Sequence, residues 1–512
     1  MSGAPGRATA VALLGLTGRL VDIEAALTNQ KPGLKLVGLP DAALREAQAR
    51  VRSAIEHSGF EMPTRHLTVN LSPAALPKHG SAFDLGIAVA VLVTQGVIDA
   101  GAIDGVVHIG ELGLDGRLRP VPGVLPSVLA ARANGRRTVV VPTANEAEAS
   151  LVSGVRILAV PSLRALAIVH GAELEPVPVD PVPDRSIEVA EPPAPDLADV
   201  VGNDEAVAAL LVAAAGAHHV LMVGPPGAGK TMLATRLAGL LPDLDEAAAL
   251  DATCIASLAG EAVAGGLRRR PPWQAPHHTA TPAAIVGGGS AWIRPGAAAR
   301  ASGGILFLDE APEFTPAALD ALRQPLESGR ITIERAAATA RFPGRFQLVL
   351  AANPCPCGQF GTKDGECSCP SVARRRYLDR LSGPLLDRID IRLRVDRVSA
   401  AQLRMRDEQP GIPTSEARAR VETARARSAA RLAGTPWTVN GDVPGPWWRH
   451  PDRRLAPEVR APLDRALEKG HLTMRGYDRV LRLAWTVADL ADVPRPGRRE
   501  LGTALSLRAD VR

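Results

Sequence analysis

Three short apolar runs lie in the middle of the chain, and each one ends in glycine or in a polar residue. They read HHVLMVG at 218–224, GGILFLDE at 303–310 and FQLVLAAN at 346–353. Short apolar runs bounded by such residues are typical of strands buried on both faces of a parallel sheet. The first run leads into KTMLATRLAGLL, whose apolar spacing predicts a helix. Strands that alternate with helices in this way predict an α/β fold.

A proline-rich stretch interrupts this pattern on the N-terminal side. Residues 173–196 carry seven prolines, several acidic residues and few large apolar ones, which predicts an extended, semi-rigid linker. A second seam lies near 396–415 and precedes arginine-rich helical patterns. We therefore predict an N-terminal unit at 1–172, a core at 197–396 and a C-terminal helical unit at 397–512.

Composition narrows the class of protein. Hydrophobic residues make up 46% and charged residues 22% of the 512, which is ordinary for a soluble globular chain. No apolar run reaches the ~18 residues that span a bilayer, and the start of the chain shows no convincing signal peptide. We therefore expect a cytoplasmic protein without a membrane partner. The net charge of +5 permits an acidic partner such as nucleic acid but does not demand one.

A glycine-rich stretch, GPPGAGKT, joins the first predicted strand to the predicted helix. It fits the pattern G-x-x-x-x-G-K-[ST], in which glycines let backbone N–H groups approach phosphates at a helix N-terminus. We expect Lys230 to bridge the β- and γ-phosphates of ATP and Thr231 to bind Mg²⁺. A chance glycine–proline turn is the alternative, and the flanking strand and helix disfavour it. The residues expected to contact the nucleotide are Gly224, Pro225, Pro226, Gly227, Ala228, Gly229, Lys230, Thr231 and Met232.

Polar side chains follow the later strands. Asp309 and Glu310 end the second apolar run, where Asp309 would hold Mg²⁺ and Glu310 would polarise the attacking water. Asn353 ends the third run and could orient water or contact the γ-phosphate. Arg388 follows a helical turn and precedes another strand, where it could act as an arginine finger on a neighbour's nucleotide. Taken singly, Asn353 and Arg388 would more often be ordinary loop residues, and their order after the first two motifs favours the catalytic roles.

The order of these motifs resembles that of the AAA+ ATPases, and within them the magnesium-chelatase-like branch and its ComM/YifB-type proteins. The resemblance covers nearly the whole chain and is carried by DVVGNDEAVAALLVAAAGAHHVLMVGPPGAGKTMLA, APHHTATPAAIVGGG, GGILFLDEAPEFTPAALDALRQPLESGRITIERA, AANPCPCG, GPLLDRIDI and RGYDRVLRLAWTVADL. It implies an AAA+ P-loop core with a helical lid, ATP and Mg²⁺ as ligands, and a homo-hexamer with a central channel. By position it implies that Asn353 is the first sensor, Arg388 the arginine finger and Arg475 the second sensor. Whether Arg475 serves its own or a neighbour's nucleotide stays open.

The N-terminal unit resembles the Lon protease domain, which implies an α+β fold like that of ribosomal S5 domain 2. The resemblance lies in 69–93 and 108–145. Lon-type catalysis needs a serine nucleophile that a lysine activates. In the family's motif those two positions correspond to Ala82 and Ser127 here, while Ser81 and Lys78 stand at other positions of the motif. We predict a catalytically inactive domain used for assembly or nucleic-acid contact.

Three features admit two interpretations each. Residues 275–292, APHHTATPAAIVGGGSAW, could form a channel loop that touches DNA or a packed connector. The arginines of 415–434 could bind phosphates, although a solvated lid surface is the simpler interpretation. Trp447 and Trp448 could stack on bases, although we favour packing of a loop onto a core.

Four cysteines crowd one short loop after the third apolar run, as Cys355, Cys357, Cys367 and Cys369. A reducing cytoplasm argues against disulfides, and the lack of a C-x-x-C motif argues against a redox device. We predict a structural Zn²⁺ site that staples the loop between Asn353 and Arg388. Free thiols or an iron–sulfur cluster are the alternatives.

Three functions are compatible with these motifs. The first is a ring-forming ATP hydrolase that moves DNA, for example in branch migration during natural transformation, as the resemblance implies. The second is a magnesium-chelatase-type subunit, and the third is an ATP-gated assembly factor without DNA translocation. The Lon-like unit and the cysteine loop favour the first.

Overall fold

The structure is a computed structural model that describes residues 5–28, 31–38, 42–180, 182, 195–263, 265–289, 293–335, 338–361, 367–408 and 411–509. Most of the predicted linker at 173–196 therefore lies outside the described residues. So do the last three residues of the 275–292 segment and the middle of the cysteine loop.

The N-terminal unit is a mixed sheet with helices packed against it. Its elements are β1 (Gly6–Leu14), β2 (Thr17–Thr28), β3 (Gly33–Val37), α1 (Ala42–His57), β4 (His66–Ser72), α2 (Asp84–Thr94), β5 (Val106–His108), β6 (Glu111–Leu112), β7 (Leu118–Arg119), α3 (Val124–Ala133), β8 (Thr138–Pro142), α4 (Glu146–Ala149), β9 (Arg156–Val160) and α5 (Leu163–Val169). Seven strands pair in the order β3-β4-β2-β1-β5-β8-β9, antiparallel among β4, β2 and β1 and parallel elsewhere. Helix α2, which is apolar on every side, is almost completely buried against the sheet.

The core is a parallel sheet flanked by helices and two hairpins. Its elements are α6 (Asp204–Gly216), β10 (Val220–Val223), α7 (Lys230–Leu240), α8 (Glu246–Ala259), β11 (Trp273–Gln274), α9 (Pro282–Val286), β12 (Gly287–Gly288), β13 (Arg294–Pro295), α10 (Ala297–Arg300), β14 (Ile305–Leu308), α11 (Pro316–Asp320), α12 (Arg323–Ser328), β15 (Arg330–Arg335), β16 (Ala338–Pro343), β17 (Gln347–Ala352), α13 (Ser371–Leu378), α14 (Gly383–Leu386) and β18 (Ile391–Arg394). The parallel strands follow the order β11-β14-β17-β10-β18. The hairpins are β12–β13 and β15–β16.

The register of the parallel strands separates two groups of functional candidates. Val223 at the end of β10 pairs with Ala352 of β17, so the P-loop and Asn353 leave the sheet at the same edge. Val220 at the start of β10 pairs with Ile391 of β18, so Arg388, which precedes β18, lies at the opposite edge. Four strand residues at ~3.3 Å each separate the edges by about 13 Å of backbone alone.

The C-terminal unit consists of helices that pack onto the core. They are α15 (Ala400–Glu408), α16 (Thr414–Arg431), α17 (Gly445–Trp448), α18 (Pro457–Glu468), α19 (Met474–Leu490) and α20 (Arg498–Ser506). Core and lid share one apolar cluster in which Leu210 of α6, Val421 of α16 and Leu483 of α19 are fully buried. Core and lid therefore pack against each other through one continuous apolar cluster.

Trp448, Arg425 and Arg431 of the lid pack against other parts of the protein. Trp448 is buried and stacks on Trp485 with 5.2 Å between ring centroids, which confirms the packing interpretation for this residue. Arg431 pairs with Asp489 at 2.5 Å, and Arg425 donates to the carbonyl of Ala214 at 2.7 Å. Burial lowers the pKa of Arg425 to about 10. The expectation of a solvated arginine face is thus wrong for Arg425, because α16 turns this side chain inward against α6.

The N-terminal unit sits directly on the core through α3 and α8. The backbone N–H of Gly123 donates to the carbonyl of Ser257 at 3.1 Å, and the hydroxyl of Ser257 donates to the Glu148 carboxylate. Cys254 of α8 is buried in the apolar cluster of the N-terminal unit.

The predicted fold class, an α/β core with a helical lid and an α+β unit before it, is confirmed. The boundaries at 172, 196 and 396 stay a proposal.

Candidate active site

The P-loop connects the end of β10 to the first turn of α7. Gly229, which precedes the helix, has φ of 92°, a left-handed conformation that favours glycine. A Cβ at Gly224 would lie 2.1 Å from the carbonyl oxygen of Val395, so no larger residue fits between the two strands. The loop therefore presents backbone N–H groups at a helix N-terminus, where an anion is stabilised.

Lys230 is buried inside this loop and bonds to three oxygens. Its ammonium donates to the carbonyls of Gly224 and Pro225, at 2.6 and 3.1 Å, and to the side-chain oxygen of Asn353 at 3.0 Å. Burial lowers the pKa of Lys230, because desolvation disfavours the charged form. The structure thus brings together Lys230 and Asn353, the predicted P-loop lysine and first sensor.

Thr231 and Asp309 meet across the gap between α7 and β14. The hydroxyl of Thr231 donates to the Asp309 carboxylate at 2.7 Å. A hydroxyl and a carboxylate beside each other are oxygen donors of the kind that Mg²⁺ prefers. These two residues therefore fit the metal that accompanies a nucleotide.

Glu310 has an unusual backbone conformation. Its φ of 49° and ψ of 42° place a non-glycine residue in the left-handed region. Its N–H donates to the Asp309 carboxylate at 2.9 Å, which ties the two acids together. Backbone strain of this kind is found most often at functional sites, and here it sets the direction of the Glu310 side chain.

His278 faces Glu310, and the sequence analysis did not assign it a role at this site. Its Nδ1 lies 3.3 Å from the Glu310 carboxylate, and its ring lies 4.0 Å from that of His277. The loop after β11 brings it there, because β11 and β14 are parallel neighbours. The adjacent histidines were a visible signal, but only the strand order shows which carboxylate one of them meets.

Tyr377 of α13 is a second residue that the sequence analysis did not assign. Its side chain is buried, its hydroxyl accepts a hydrogen bond from the backbone of Asn353, and burial raises its pKa to about 12. It therefore stays neutral and supports the position of Asn353.

Arg388 and Arg475 lie together at the opposite edge of the sheet. The guanidinium of Arg388 pairs with Glu327 and donates to the carbonyl of Pro384. Arg475 pairs with Asp387 at 3.5 Å and is largely exposed. Both arginines line a cleft of about 740 Å³ that contains the starts of the parallel strands and no residue of the P-loop. Neither side chain is therefore placed for the nucleotide of its own chain.

The four cysteine side chains of the loop after β17 converge. Their sulfur atoms all lie within 4.8 Å of one another, and Cys355 is 3.4 Å from Cys357 and 3.7 Å from Cys367. Tetrahedral Zn²⁺ with Zn–S bonds of about 2.3 Å separates its sulfurs by about 3.8 Å. The pKa of Cys357 is lowered to about 6, chiefly by a backbone hydrogen bond from Gln359, whereas burial raises that of Cys355 to about 11. The donor set fits zinc.

The cysteine loop packs against the P-loop. A Cβ at Gly358 would lie 2.5 Å from Pro226, and Cys355 is buried. The predicted staple between Asn353 and Arg388 is wrong in one respect, because Arg388, the predicted finger, lies at the far edge of the sheet. The cluster supports the nucleotide end of the loop only.

The Lon-like positions lie at the contact between the N-terminal unit and the core. Ala82 and Ser127 line a cavity of about 40 Å³ that Leu258 and Ile293 of the core also line. The hydroxyl of Ser127 donates to the carbonyl of Gly123 at 2.7 Å, and Lys78 donates to the carbonyl of Gly38 at 3.0 Å. Neither residue forms the serine–lysine pair that peptide cleavage would need.

The described part of the 275–292 segment fits neither the channel loop nor the packed connector completely. Ile285 of α9 is buried, whereas His277 and Thr279 are exposed. Gly288 of β12 lies beside Arg335 at the tip of the β15–β16 hairpin. That second hairpin was missed by the sequence analysis, because its alternation of apolar and polar residues is only six residues long on each strand.

Three family models match this chain, one after another. The model described as "Magnesium chelatase, subunit ChlI" matches residues 196–403, and "Subunit ChlI of Mg-chelatase" matches 23–145. "Magnesium chelatase, subunit ChlI C-terminal" matches 411–508. No helix in the described part of the chain is both long and apolar enough to cross a membrane.

Several relatives match along nearly their whole length, among them the uncharacterised protein Rv2897c of Mycobacterium tuberculosis, 48% identical over 98% of both chains. Competence protein ComM of Haemophilus influenzae is 39% identical over 98% of this chain and 97% of its own, and the uncharacterised protein YifB of Escherichia coli is 39% identical over 97% and 96%. Lon protease of Mycolicibacterium smegmatis is 31% identical over 28% of this chain and 19% of its own.

Proposed function

This chain belongs to the ComM/YifB family of magnesium-chelatase-like AAA+ ATPases, and from that premise we propose that it is a ring-forming motor that hydrolyses ATP to move DNA. We propose branch migration or strand separation in recombination, in the setting of natural transformation, as its task. The name of the Haemophilus influenzae relative, a competence protein, supports this setting.

The observation that carries the proposal is the division of the catalytic groups between two edges of one sheet. Lys230, Thr231, Asp309 and Asn353 meet at the edge where the strands end. Arg388 lies where they begin, with a sheet of about 13 Å between. An arginine can stabilise a phosphoryl-transfer transition state only by direct contact. A complete site with Arg388 as finger therefore needs a second copy of the chain, and repetition of such a head-to-tail contact forms a ring when the rotation between neighbours closes.

The chemistry follows from the residues at the nucleotide edge. Lys230 would exchange two carbonyl partners for the β- and γ-phosphate oxygens of ATP, while Asn353 keeps its ammonium in place. Mg²⁺ held by Thr231 and Asp309 would neutralise phosphate charge. Glu310 would accept the proton of the attacking water, and Arg388 of the next subunit would stabilise the charge of the transferred group. We also propose that Arg475 acts in trans, because it lines the same cleft as Arg388.

The hairpins supply a candidate DNA contact. Ile331, Ile333 and Phe342 of β15–β16 are buried, whereas Arg330 and Arg335 are exposed, and Arg335 lies beside Gly288 of the β12–β13 hairpin. Exposed arginines suit the phosphates of a DNA backbone. The family model that matches 23–145 is described as a chelatase subunit, so the N-terminal unit does not by itself separate the motor from a chelatase.

The test is the rate of ATP hydrolysis with and without forked or four-way DNA. We expect DNA to raise the rate, and Lys230→Ala and Arg388→Ala each to reduce it by roughly 10³-fold or more, because each removes a group that contacts the transferred phosphoryl. Arg420→Ala, an exposed arginine of α16, is the matched control and should leave the rate unchanged.

Movement of a branch point in a four-way junction gives the second measurement. A protein that hydrolyses ATP at one rate with or without DNA, and that moves no branch point, is not a DNA motor. That outcome would leave the chelatase subunit and the assembly factor.

A further inference from the structure

A cavity of about 340 Å³ lies beside the P-loop, between the cysteine loop and α13, and is called the α13 pocket below. The ends of three neighbouring strands border it, through Val223 of β10, Pro354 directly after β17 and Arg394 of β18. Sheets of this class commonly hold ligands at the carboxyl ends of their strands, and the volume lies in the range of small-molecule sites. The first residues of the P-loop line the pocket, whereas Lys230 and Asp309 do not. The pocket therefore adjoins the candidate active site without containing its charged groups.

One wall of the α13 pocket is an exposed aromatic ring. The chain has seven phenylalanines, of which six are buried, whereas Phe360 is 41% exposed. The guanidinium carbon of Arg374 lies 4.0 Å from the centroid of the Phe360 ring. An exposed aromatic ring beside an arginine is the arrangement on which unpaired nucleic-acid bases stack.

Positive charge surrounds this ring. Arg374, Arg375 and Arg394 line the pocket together with one carboxylate, that of Asp379. Arg394 donates to the carbonyl of Gly361 at 3.1 Å, whereas neither Arg374 nor Arg375 has an ion-pair partner among the residues that the structure describes. An anion can therefore bind Arg374 and Arg375 without first breaking an ion pair there.

We propose that the α13 pocket binds a nucleotide other than the ATP at the P-loop, with the base stacked on Phe360 and the phosphate held by Arg375. The pocket would thus recognise a planar base joined to an anion. A single strand and a free nucleotide both offer this unit, whereas the bases of a duplex are stacked on one another and must first be extruded. The inference rests on the proposed function in so far as single-stranded DNA is the expected source of the nucleotide.

Fluorescence anisotropy of a labelled single strand of dT, measured without ATP, tests the stacking. Phe360→Ala should raise Kd roughly tenfold, which is within the range for loss of one base–aromatic stack. Phe360→Tyr keeps an aromatic ring and should have a Kd within about twofold of the wild type.

The salt dependence of Kd separates the phosphate contact from the stacking. Arg375→Ala should raise Kd and also reduce the slope of log Kd against log salt concentration by about 0.7, because one phosphate contact with a single strand is lost. Phe360→Ala should leave this slope unchanged, because a neutral ring releases no counterions. A merely structural role of the two residues would not divide the effects in this way.

Val372→Ala and Arg420→Ala are the matched controls. Val372 is an exposed residue of α13 that does not line the pocket, and Arg420 is an exposed arginine of α16. Both variants should bind the strand as the wild type does. Thermal melting checks that each variant is folded, and Arg375→Ala, at an exposed position, keeps the test decisive if Phe360→Ala does not fold.

Competition with unlabelled dTMP identifies the source of the nucleotide. Displacement of the labelled strand from the wild type, but not from Phe360→Ala, would show that a free nucleotide is sufficient. Binding of the strand that depends on Phe360 and that dTMP does not displace would show that the pocket takes a nucleotide within a strand. Either result supports a nucleotide site.

Three results would overturn the inference. The wild type might bind neither the strand nor dTMP, or Phe360→Ala and Arg375→Ala might have the Kd of the two controls. In the third, Phe360→Ala raises KM for ATP and leaves Kd for the strand unchanged, which would assign the pocket to the base of the catalytic nucleotide.

The proposed motor can fail independently. If binding of the strand depends on Phe360 but the wild type moves no branch point, the pocket stands and the motor fails. If the wild type moves branch points while the pocket variants bind the strand as well as the controls do, the motor stands and the pocket fails.

Discussion

Lys230 shows how the resting site is prepared for an anion. Its buried ammonium is satisfied by two backbone carbonyls and by Asn353, all of them neutral groups. Burial lowers its pKa, so the charged form is less stable than in water. Phosphate oxygens would be stronger partners than carbonyls, because they add the attraction of a negative charge for the ammonium.

At the scale of single residues, substitutions of Asn353 test its predicted contact with the γ-phosphate. Asn353→Asp would place a carboxylate about where the amide oxygen now lies, next to Lys230 and facing the γ-phosphate. We expect kcat/KM for ATP to fall roughly 100-fold, against roughly tenfold for Asn353→Ala, because repulsion of the phosphate adds to the lost hydrogen bond. Steady-state kinetics measure both.

The control for this pair is Asn134→Asp, at the end of α3, where the amide bonds only within its own turn. It should leave kcat/KM unchanged. Equal effects of Asn353→Asp and Asn353→Ala would show that the side chain does not face the phosphate.

At the scale of elements, the cysteine loop packs against the P-loop and supports it. The loop lies against Pro226 through Gly358, and its four sulfurs are spaced for one tetrahedral ion. A metal would join the two ends of this loop through four bonds. It would not be catalytic, since four thiolates leave zinc no open position.

We therefore expect about one zinc per chain in freshly purified protein, measured by mass spectrometry. Cys357→Ser should lose the metal and lower the melting temperature, because a structural zinc site contributes directly to folding. Chelation of the wild type should do the same.

Cys254→Ala provides the control for zinc binding, since Cys254 lies on α8 and in another apolar cluster. It should keep its zinc. Metal-free wild-type protein with an unchanged melting temperature after chelation would identify the cysteines as free thiols, and an absorbing iron chromophore would identify a cluster.

At the scale of the whole molecule, the two edges of the core sheet hold different groups, which the proposed ring would bring together. The edge where the strands end holds the P-loop and the acids, while the opposite edge holds Arg388 and Arg475 around a cleft of about 740 Å³. Glu327 and Asp387 pair with these arginines in the isolated chain. In the proposed ring, a neighbour's nucleotide would displace these two acids from the arginines. A nucleotide that contacts both subunits would then favour assembly, and assembly would favour nucleotide binding.

Mixing two inactive variants tests this arrangement. In a random ring of Lys230→Ala and Arg388→Ala subunits, roughly a quarter of the interfaces combine an intact P-loop with an intact finger. We therefore expect ATP hydrolysis to return to a measurable fraction of the wild-type rate in an equimolar mixture. Each variant alone, incubated at the same total concentration, is the control. A mixture as inactive as its components would place both groups in one chain.

The contact between the N-terminal unit and the core is also a property of the whole molecule. Its Lon-like catalytic positions, Ala82 and Ser127, line a cavity of about 40 Å³ that the core also lines. Both positions therefore lie where the N-terminal unit contacts the core. The inactive domain stays a prediction.

The sequence by itself determined the elements and the chemistry of the nucleotide edge. Lys230, Thr231 and Asp309 could be placed because their motifs combine a strand, a glycine turn and a helix in consecutive residues. Residues within such a short motif have their relative positions set by the local backbone, because neighbours in the sequence cannot lie far apart in space. The α/β core, the lid and the Lon-like unit followed from the same patterns and from the resemblance that they carry.

Only the tertiary structure decided which distant groups meet. Glu310 and His278 are 32 positions apart in the chain, and the parallel pairing of β11 with β14 is what brings them together. The same sheet keeps Arg388 away from Asn353, although only 35 positions separate them. Strand order depends on how all the apolar faces are buried at once, and no single segment contains that information.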